Sequence, residues 1–237
     1  LIFCFNFYII FQGVAQNKIE LKSVEEVLSV GKQVSFLEDK NGNLSLEDAL
    51  KPQNQQKFQA IDDDIFIKPA TTSAYWFKVT VRNFSNEDAW LSIGRSESLY
   101  IDFYSPDSVG NYQKPIKTGA FRPFKSRPYR IISDFWLPLN LAKDTQPRTY
   151  YVRIKQLVSY ELPFRVGTLR SLNHRKDVID GINMAFLGIM LIMMLYNSFL
   201  FFTTKENIYV LYVTYLLLSS ITFTFINSYP VIDEATN

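Results

Sequence analysis

The sequence predicts a mainly β fold, a jelly-roll-like antiparallel β-sandwich followed by two transmembrane α-helices. Short segments of alternating apolar and polar residues recur along residues 18–169, and Gly, Pro and Asn residues separate them. This pattern, with little helical periodicity, is typical of a β-sandwich or jelly roll. Two long apolar runs near the C-terminal end predict the membrane helices.

Alternation with a period of two residues identifies the predicted strands. Phe77, Val79 and Val81 alternate with polar side chains, which predicts a half-buried strand that begins at Ala74. A longer strand, rich in aromatic residues, is predicted over residues 129–139. The other predicted strands are residues 18–21, 33–37, 89–94, 99–104, 112–118, 150–155 and 161–169.

One short helix is predicted before the long alternating strand. Ser45 is suited to cap its N-terminus, and Asp48 follows three residues later, which is a variant of the capping box. Residues 38–43 contain the pair Asn41-Gly42 and predict a turn. The polar segment 52–64 predicts a loop.

The two apolar runs cover residues 178–202 and 208–227. Each is long enough to cross a bilayer core, which needs about 20 helical residues for about 30 Å. The second run contains no charged residue, and only residues 203–207 separate it from the first. The two helices are therefore expected to form an antiparallel hairpin in contact with membrane lipid.

The N-terminal residues predict export from the cytoplasm. Residues 1–14 are apolar and aromatic, and a stretch of small residues ends at Ala15, which predicts a signal peptide cleaved after that residue. A short buried strand or helix is the alternative interpretation. The single cysteine, Cys4, lies in this segment, so the mature chain would have no thiol. The chain starts with leucine, and we expect it to be truncated at this end.

The predicted signal peptide also predicts the orientation of the chain. Export of the sandwich would place residues 203–207 in the cytoplasm. The opposite orientation stays open, because export would leave Arg170, Arg175 and Lys176 outside and only Lys205 inside, which is contrary to the usual excess of basic residues on the cytoplasmic side. These features together divide the chain into five parts. They are a signal peptide (1–15), an extracellular or periplasmic β-sandwich (16–172), a juxtamembrane segment with the first membrane helix (173–202), the second membrane helix (208–227) and a truncated end (228–237).

The composition argues against several classes of function. The net charge is +2 and the basic residues do not cluster densely, so we do not expect nucleic-acid binding. The single histidine, His174, lies beside two cations, so we expect neither a multi-histidine metal site nor a histidine-based catalytic triad. The acidic run 62–64 lacks the spacing of a calcium loop. We predict no catalytic residue, no cofactor and no metal ion.

Five residues of the predicted sandwich are candidates for ligand binding: Trp76, Lys78, Arg82, Arg127 and Trp136. Both tryptophans are out of phase with the apolar faces of their strands, which predicts that they point outward. An outward tryptophan beside cations can stack on a sugar ring or receive an anionic ligand. The alternative is that the tryptophans pack beneath loops or against the second sheet, and that Arg127 is solvated.

Polar and small residues in the apolar runs predict packing against further helices. Those of the second run recur at spacings of three and four, which places them on one helix face. The first run contains a pair of small residues four positions apart and two asparagines that need partners. A ligand path through the membrane is the alternative interpretation. The residues are Gly181, Asn183, Ala185 and Asn197 in the first run and Tyr212, Tyr215, Ser219 and Thr222 in the second.

Several segments, taken in order, resemble one bacterial family. They are Phe36-Leu37-Glu38-Asp39, Tyr75-Trp76-Phe77-Lys78-Val79, Leu99-Tyr100-Ile101-Asp102-Phe103-Tyr104, Phe135-Trp136-Leu137-Pro138-Leu139, Tyr150-Tyr151-Val152-Arg153-Ile154, Leu195-Tyr196-Asn197-Ser198-Phe199 and Tyr209-Val210-Leu211-Tyr212. The family is the seven-transmembrane receptors with diverse intracellular signalling modules that carry the type-2 extracellular domain.

This resemblance implies a receptor rather than an enzyme. The ectodomain would be a jelly-roll-like sandwich, similar to carbohydrate-binding modules, that binds a small ligand such as a carbohydrate. Seven helices in the inner membrane would pass the signal to a kinase, a diguanylate cyclase or a DNA-binding module. Five helices and this output module would lie beyond the present chain, and oligomerisation is left open.

Two other classes of protein remain as alternatives. One is a membrane-anchored adhesion or structural domain of the envelope that transmits no signal. The other is a membrane-tethered enzyme that processes glycans, which would need two carboxylates about 5–9.5 Å apart. No spacing in the sequence singles out such a pair.

Overall fold

The computed structural model describes residues 18–94, 100–131, 134–142 and 146–227. Two β-sheets form a sandwich, and two long apolar helices follow it, so the predicted fold class is confirmed. The predicted signal peptide lies outside the described residues, as do residues 228–237.

The sandwich contains twelve described strands. In chain order they are β1 (Ile19–Leu21), β2 (Val27–Ser29), β3 (Ser35–Asp39), β4 (Gln59–Ala60), β5 (Ile65–Lys68), β6 (Ala74–Asn83), β7 (Ala89–Gly94), β8 (Tyr100–Tyr104), β9 (Ile116–Thr118), β10 (Asp134–Pro138), β11 (Arg148–Lys155) and β12 (Tyr160–Thr168).

The larger sheet has seven strands and the smaller sheet has five. The larger sheet has the order β4-β3-β6-β11-β8-β9, and β1 pairs with the end of β6. The smaller sheet has the order β10-β7-β12-β2, and β5 also pairs with β12. The β1–β6 pairing is parallel, and the other strand pairings of the described chain are antiparallel.

The core lies between the two sheets and is rich in aromatic rings. Phe77, Val79 and Val81 are buried there, as their alternation predicted. Phe66 meets Phe77 edge to face, with 5.0 Å between the ring centroids. The hydroxyl of buried Tyr160 donates to the Ser73 carbonyl oxygen at 2.9 Å and accepts from the Gln156 amide at 3.0 Å. The phenol thus satisfies two backbone groups inside the core.

Several elements differ from the sequence predictions. The predicted loop 52–64 contains a helical turn, α2 (Pro52–Gln55), as well as β4. A strand was predicted over residues 129–139, but only β10 (Asp134–Pro138) forms there. Tyr129 does not continue the strand, and its ring stacks on Trp136 on the outside of the sheet. The capping-box prediction is confirmed at α1 (Leu46–Leu50), where Ser45 and Asp48 exchange hydrogen bonds.

Two long helices follow the sandwich, α3 (Leu169–Thr204) and α4 (Asn207–Asn227). Both are long and apolar enough to cross a membrane. The rings of Phe186 and Phe223 pack at 4.8 Å between the two helices. The 36 residues of α3 span about 54 Å. That exceeds a bilayer core of about 30 Å, so α3 extends beyond the hydrocarbon.

We predict that Tyr160→Phe lowers the free energy of unfolding of the sandwich by about 1–3 kcal/mol, because the amide of Gln156 and the carbonyl of Ser73 lose their buried partner. Urea unfolding of the chain in detergent, followed by circular dichroism, measures the change. The control is Tyr100→Phe at an exposed position, where the change should stay within about 0.5 kcal/mol. Equal losses in both variants would contradict the prediction.

Candidate sensor site and membrane junction

Trp76 lies on the outer face of the larger sheet, as its phase in the strand predicted. It is nevertheless buried, because the chain around α1 and α2 covers that face. Its indole stacks on the ring of Tyr104, with 5.5 Å between centroids. The prediction of an exposed indole is wrong, and the alternative of packing beneath a loop segment describes this tryptophan. The residues that join Trp76 in this cluster are Leu37, Leu44, Leu46, Ala49, Phe58, Tyr104, Tyr112 and Tyr151.

Lys78 helps to attach this cover to the sheet. Its ammonium group donates to the side-chain oxygen of Gln55 at 3.0 Å, and the amide nitrogen of Gln55 donates to the Tyr151 hydroxyl at 3.0 Å. Burial lowers the pKa of Lys78. Arg82 lies further along β6, where its guanidinium is 3.5 Å from a Glu20 carboxylate oxygen. Both cations therefore interact with the protein itself.

Trp136 lies where the sandwich meets α3. It is only 2% exposed, and it packs in one cluster with Ile131 and with Leu172 of α3. The Tyr129 ring stacks on the indole at 4.9 Å with an angle of 17° between the planes. Trp90 of β7 meets the same tyrosine edge to face at 6.1 Å. The prediction that Trp136 is exposed is wrong, because the start of a helix covers it.

Arg127 is also buried, with 6% of its surface exposed, so the solvated alternative is wrong. Its guanidinium carbon lies 4.4 Å from the centroid of the Phe135 ring, and it donates to the Ile131 carbonyl oxygen. Burial lowers the pKa of this guanidinium. Arg127 thereby holds residues 127–131 against β10 and supports the aromatic stack on Trp136.

Hydrogen bonds also fix the first turn of α3 to the sandwich. The Thr168 hydroxyl accepts from the Ser171 amide at 3.2 Å and donates to the Val24 carbonyl oxygen. The Ser171 hydroxyl donates to the Glu26 carbonyl oxygen at 3.1 Å. A side chain at Gly167 would come within 2.8 Å of the Ser171 hydroxyl, so the approach is close. We call these contacts and the Trp136 cluster the junction.

Sequence reasoning missed a cleft at the edge of the sandwich, with a volume of about 740 Å³. Its wall includes Phe36 and Glu38 of β3, Lys68 at the end of β5 and Tyr75 of β6, and Lys57 also lines it. These residues come from distant parts of the chain, so no local motif marks them. Alternation places Phe36 and Glu38 on one face of β3, but the register that brings Glu38 opposite Tyr75 has no signal in the sequence.

The Glu38 carboxylate is held in place within this cleft. The Ser73 hydroxyl donates to it at 2.8 Å. Burial, together with the neighbouring negative charge of Glu38, raises the pKa of Tyr75 to about 12. The Lys68 ammonium lies over the Phe36 ring, 5.3 Å from its centroid. The cleft therefore presents one fixed anion and nearby cations.

The predicted helix-packing residues are exposed or partly exposed in this two-helix hairpin. Gly181 and Ala185 are exposed, and Asn183 and Asn197 are partly exposed. Tyr212 and Tyr215 stack on each other at 6.4 Å and, with Asn197, line an open groove along the hairpin. Packing of these residues, and of Ser219, against further helices stays a prediction.

Hydroxyl groups in the two helices bond to their own backbone. In each case the hydroxyl donates to the carbonyl oxygen four residues earlier, at 2.8–2.9 Å. The residues are Ser198, Thr214, Ser220, Thr222 and Thr224.

The geometry defines a membrane protein whose β-sandwich joins its first apolar helix without a linker. Residues 31–168 match the family model described as 7TMR-DISM extracellular 2, and residues 179–232 match the model described as 7TM diverse intracellular signalling. The chain belongs to this family, so the resemblance seen in the sequence is confirmed. It is the sensor part of a transmembrane signalling receptor, with an extracellular domain and apolar membrane helices.

Comparisons with individual proteins add little. No curated protein matches the chain. Among solved structures, the enzymatically active domain of tailspike protein 4 from bacteriophage CBA120 matches with 10% identity and a TM-score of 0.29. The match covers 57% of this chain and 18% of the tailspike chain.

We predict that Trp76→Ala acts mainly on stability, lowering the free energy of unfolding by about 3–5 kcal/mol through the cavity it leaves. Urea unfolding of the chain in detergent, followed by circular dichroism, tests this. The control is Leu157→Ala at an exposed leucine, where the change should stay within about 0.5 kcal/mol. If the Trp76→Ala variant were as stable as the control, the result would instead support the prediction that Trp76 is exposed and available to stack on a ligand.

Proposed function

We propose that this chain is the ligand-sensing N-terminal part of a bacterial receptor. The sandwich binds a small ligand on the outer side of the cytoplasmic membrane and carries out no chemistry on it. Binding shifts the position of α3, and the helix bundle passes this shift to a cytoplasmic output module. Family membership supports the receptor role, and the junction supports the route of the signal.

The observation that carries this proposal is the direct continuation of β12 into α3. Strand β12 ends at Thr168 and the helix begins at Leu169, so no flexible linker separates them. The junction then attaches the first turn of α3 to the backbone at Val24 and Glu26. Because α3 is one continuous helix, a tilt imposed at its first turn displaces the membrane part as well.

The identity of the ligand is a separate part of the proposal. A carbohydrate is predicted both by the family resemblance and because a tryptophan can stack on a sugar ring. Trp76 and Trp136 are both covered by protein, which removes the physical basis for stacking on those two rings. A carbohydrate therefore remains one ligand class to be tested, and the cleft beside Glu38 is the better location for a ligand.

An envelope anchor or adhesion domain is the alternative function, and it needs no coupling between the sandwich and the helix. Measuring the contact between Leu172 and the sandwich therefore separates the two functions.

We predict that Leu172→Ala lowers the free energy of unfolding of the sandwich by about 2–4 kcal/mol, because it leaves a cavity beside Trp136. Hydrogen exchange of β10 and β12, measured on the chain in lipid nanodiscs, reports this change. Arg170→Ala, an exposed position in the same turn, is the control.

A double-mutant cycle sharpens this test. Combining Leu172→Ala with Trp136→Phe should give a coupling energy above about 0.5 kcal/mol, because the two side chains share one cluster. Strictly additive effects, with sandwich exchange unchanged by Leu172→Ala, would show that helix and sandwich behave independently. That result would favour the anchor over the receptor mechanism.

The proposed orientation makes a prediction of its own. In a Cys4→Ser background, Val109→Cys should react with a membrane-impermeant maleimide on intact spheroplasts, because Val109 is 86% exposed on the sandwich. Lys205→Cys, between α3 and α4, should react only after the membrane is permeabilised. The cysteine-free chain gives the background. Labelling of Lys205→Cys before permeabilisation would reverse the orientation.

A further inference from the structure

We propose that the cleft beside Glu38 binds a short acidic peptide, which presents one amino group and at least two carboxylates. The inference rests on the proposed function, since it names the ligand class that the sensor would take. It follows from the charges of the cleft, from the way the protein holds them and from the volume available.

The cleft is lined by charges of both signs that do not neutralise one another. Glu38 provides an anion, and Lys57 and Lys68 provide two cations. In the part of the chain that the structure describes, neither lysine forms an ion pair with a carboxylate. A ligand with one positive and two negative groups can pair with all three side chains. Charge complementarity of this kind gives specificity against ligands with the wrong pattern.

The protein positions these groups before a ligand arrives. The Ser73 hydroxyl holds Glu38 through a hydrogen bond of 2.8 Å, so the carboxylate does not need to be ordered on binding. The Phe36 ring supports Lys68 through a cation–π contact at 5.3 Å. The Lys57 ammonium donates to the Asn54 side-chain oxygen at 3.2 Å, which limits the positions that it can take.

The lining of the cleft favours a charged peptide over a neutral sugar, and its volume is sufficient for a short peptide. The volume of about 740 Å³ lies within the range of about 300–1,000 Å³ that is usual for small-molecule sites. Apolar side chains of the wall, among them Pro69 and Ala70, can contact the aliphatic part of a peptide. One face of the Phe36 ring already contacts Lys68, so that face does not offer a stacking surface for a sugar ring.

The test uses a matched set of ligands in isothermal titration of the chain in lipid nanodiscs. The ligands are alanyl-glutamate, its N-acetyl form without the amino group, alanyl-glutamine without the second carboxylate, and galactose. Alanyl-glutamate should bind saturably. Loss of either charged group should weaken binding about tenfold, which is typical of one charge-assisted hydrogen bond. Galactose binding more tightly than the peptide would overturn the proposal in favour of a carbohydrate.

Variants assign the contacts. Glu38→Gln should remove the difference between the free and the acetylated peptide, because it lacks the charge that pairs with the amino group. The double variant Lys57→Gln/Lys68→Met should remove the difference between alanyl-glutamate and alanyl-glutamine. Lys32→Gln, an exposed position that does not line the cleft, should change neither.

Two results would reject the site. One is absence of saturable alanyl-glutamate binding to a chain whose circular dichroism shows a folded sandwich. The other is binding that both Glu38→Gln and the double variant Lys57→Gln/Lys68→Met leave unchanged. The double-mutant cycle at the junction needs no ligand, so either result would leave the receptor mechanism to be judged by that cycle.

Discussion

The hydrogen-bonded passage from β12 into α3 is the constraint on which the rest of the structure depends. Strand β12 pairs with β7, β2 and β5, and it carries the buried Tyr160 that closes the core. The same strand ends at Thr168, whose hydroxyl caps α3. Strand β12 is therefore in direct contact with both the interior of the sandwich and the first turn of the apolar helix.

The cover over the outer face of the larger sheet explains why the proposed ligand site lies at an edge. Trp76, Tyr104 and Tyr151 form an aromatic surface of the kind that binds flat ligands, but the chain around α1 and α2 lies on it. Lys78 and Gln55 hydrogen-bond beneath that cover. The protein's own side chains occupy this face, whereas the charged cleft beside Glu38 is a concave surface that stays open to solvent.

Local signals predicted part of this fold and little of the site. The strong alternation of β6 and the capping box at Ser45 depend on neighbouring residues, so the sequence alone was sufficient for them. Strands β2 and β5 were missed because each is short and exists through its pairing with β12. The phase of Trp76 was predictable, but its burial was not, because the cover comes from residues about twenty to thirty positions away.

The same limit applies to the junction and to the cleft. Trp136 has the phase of an outward residue. It is buried because α3, which begins more than thirty residues later in the chain, packs over that face of the sheet. The cleft unites side chains of β3, β5 and β6 with Lys57. Long-range pairing brings these groups together, and their spacing along the chain does not reveal it.

The self-bonded hydroxyls of the two helices have a consequence for their entry into a membrane. A hydroxyl that donates to its own helix backbone does not expose an unsatisfied donor to lipid. Ser220, Thr222 and Thr224 are all satisfied in this way within α4. These hydroxyl groups of α4 therefore need no partner outside their own helix when that helix enters a bilayer.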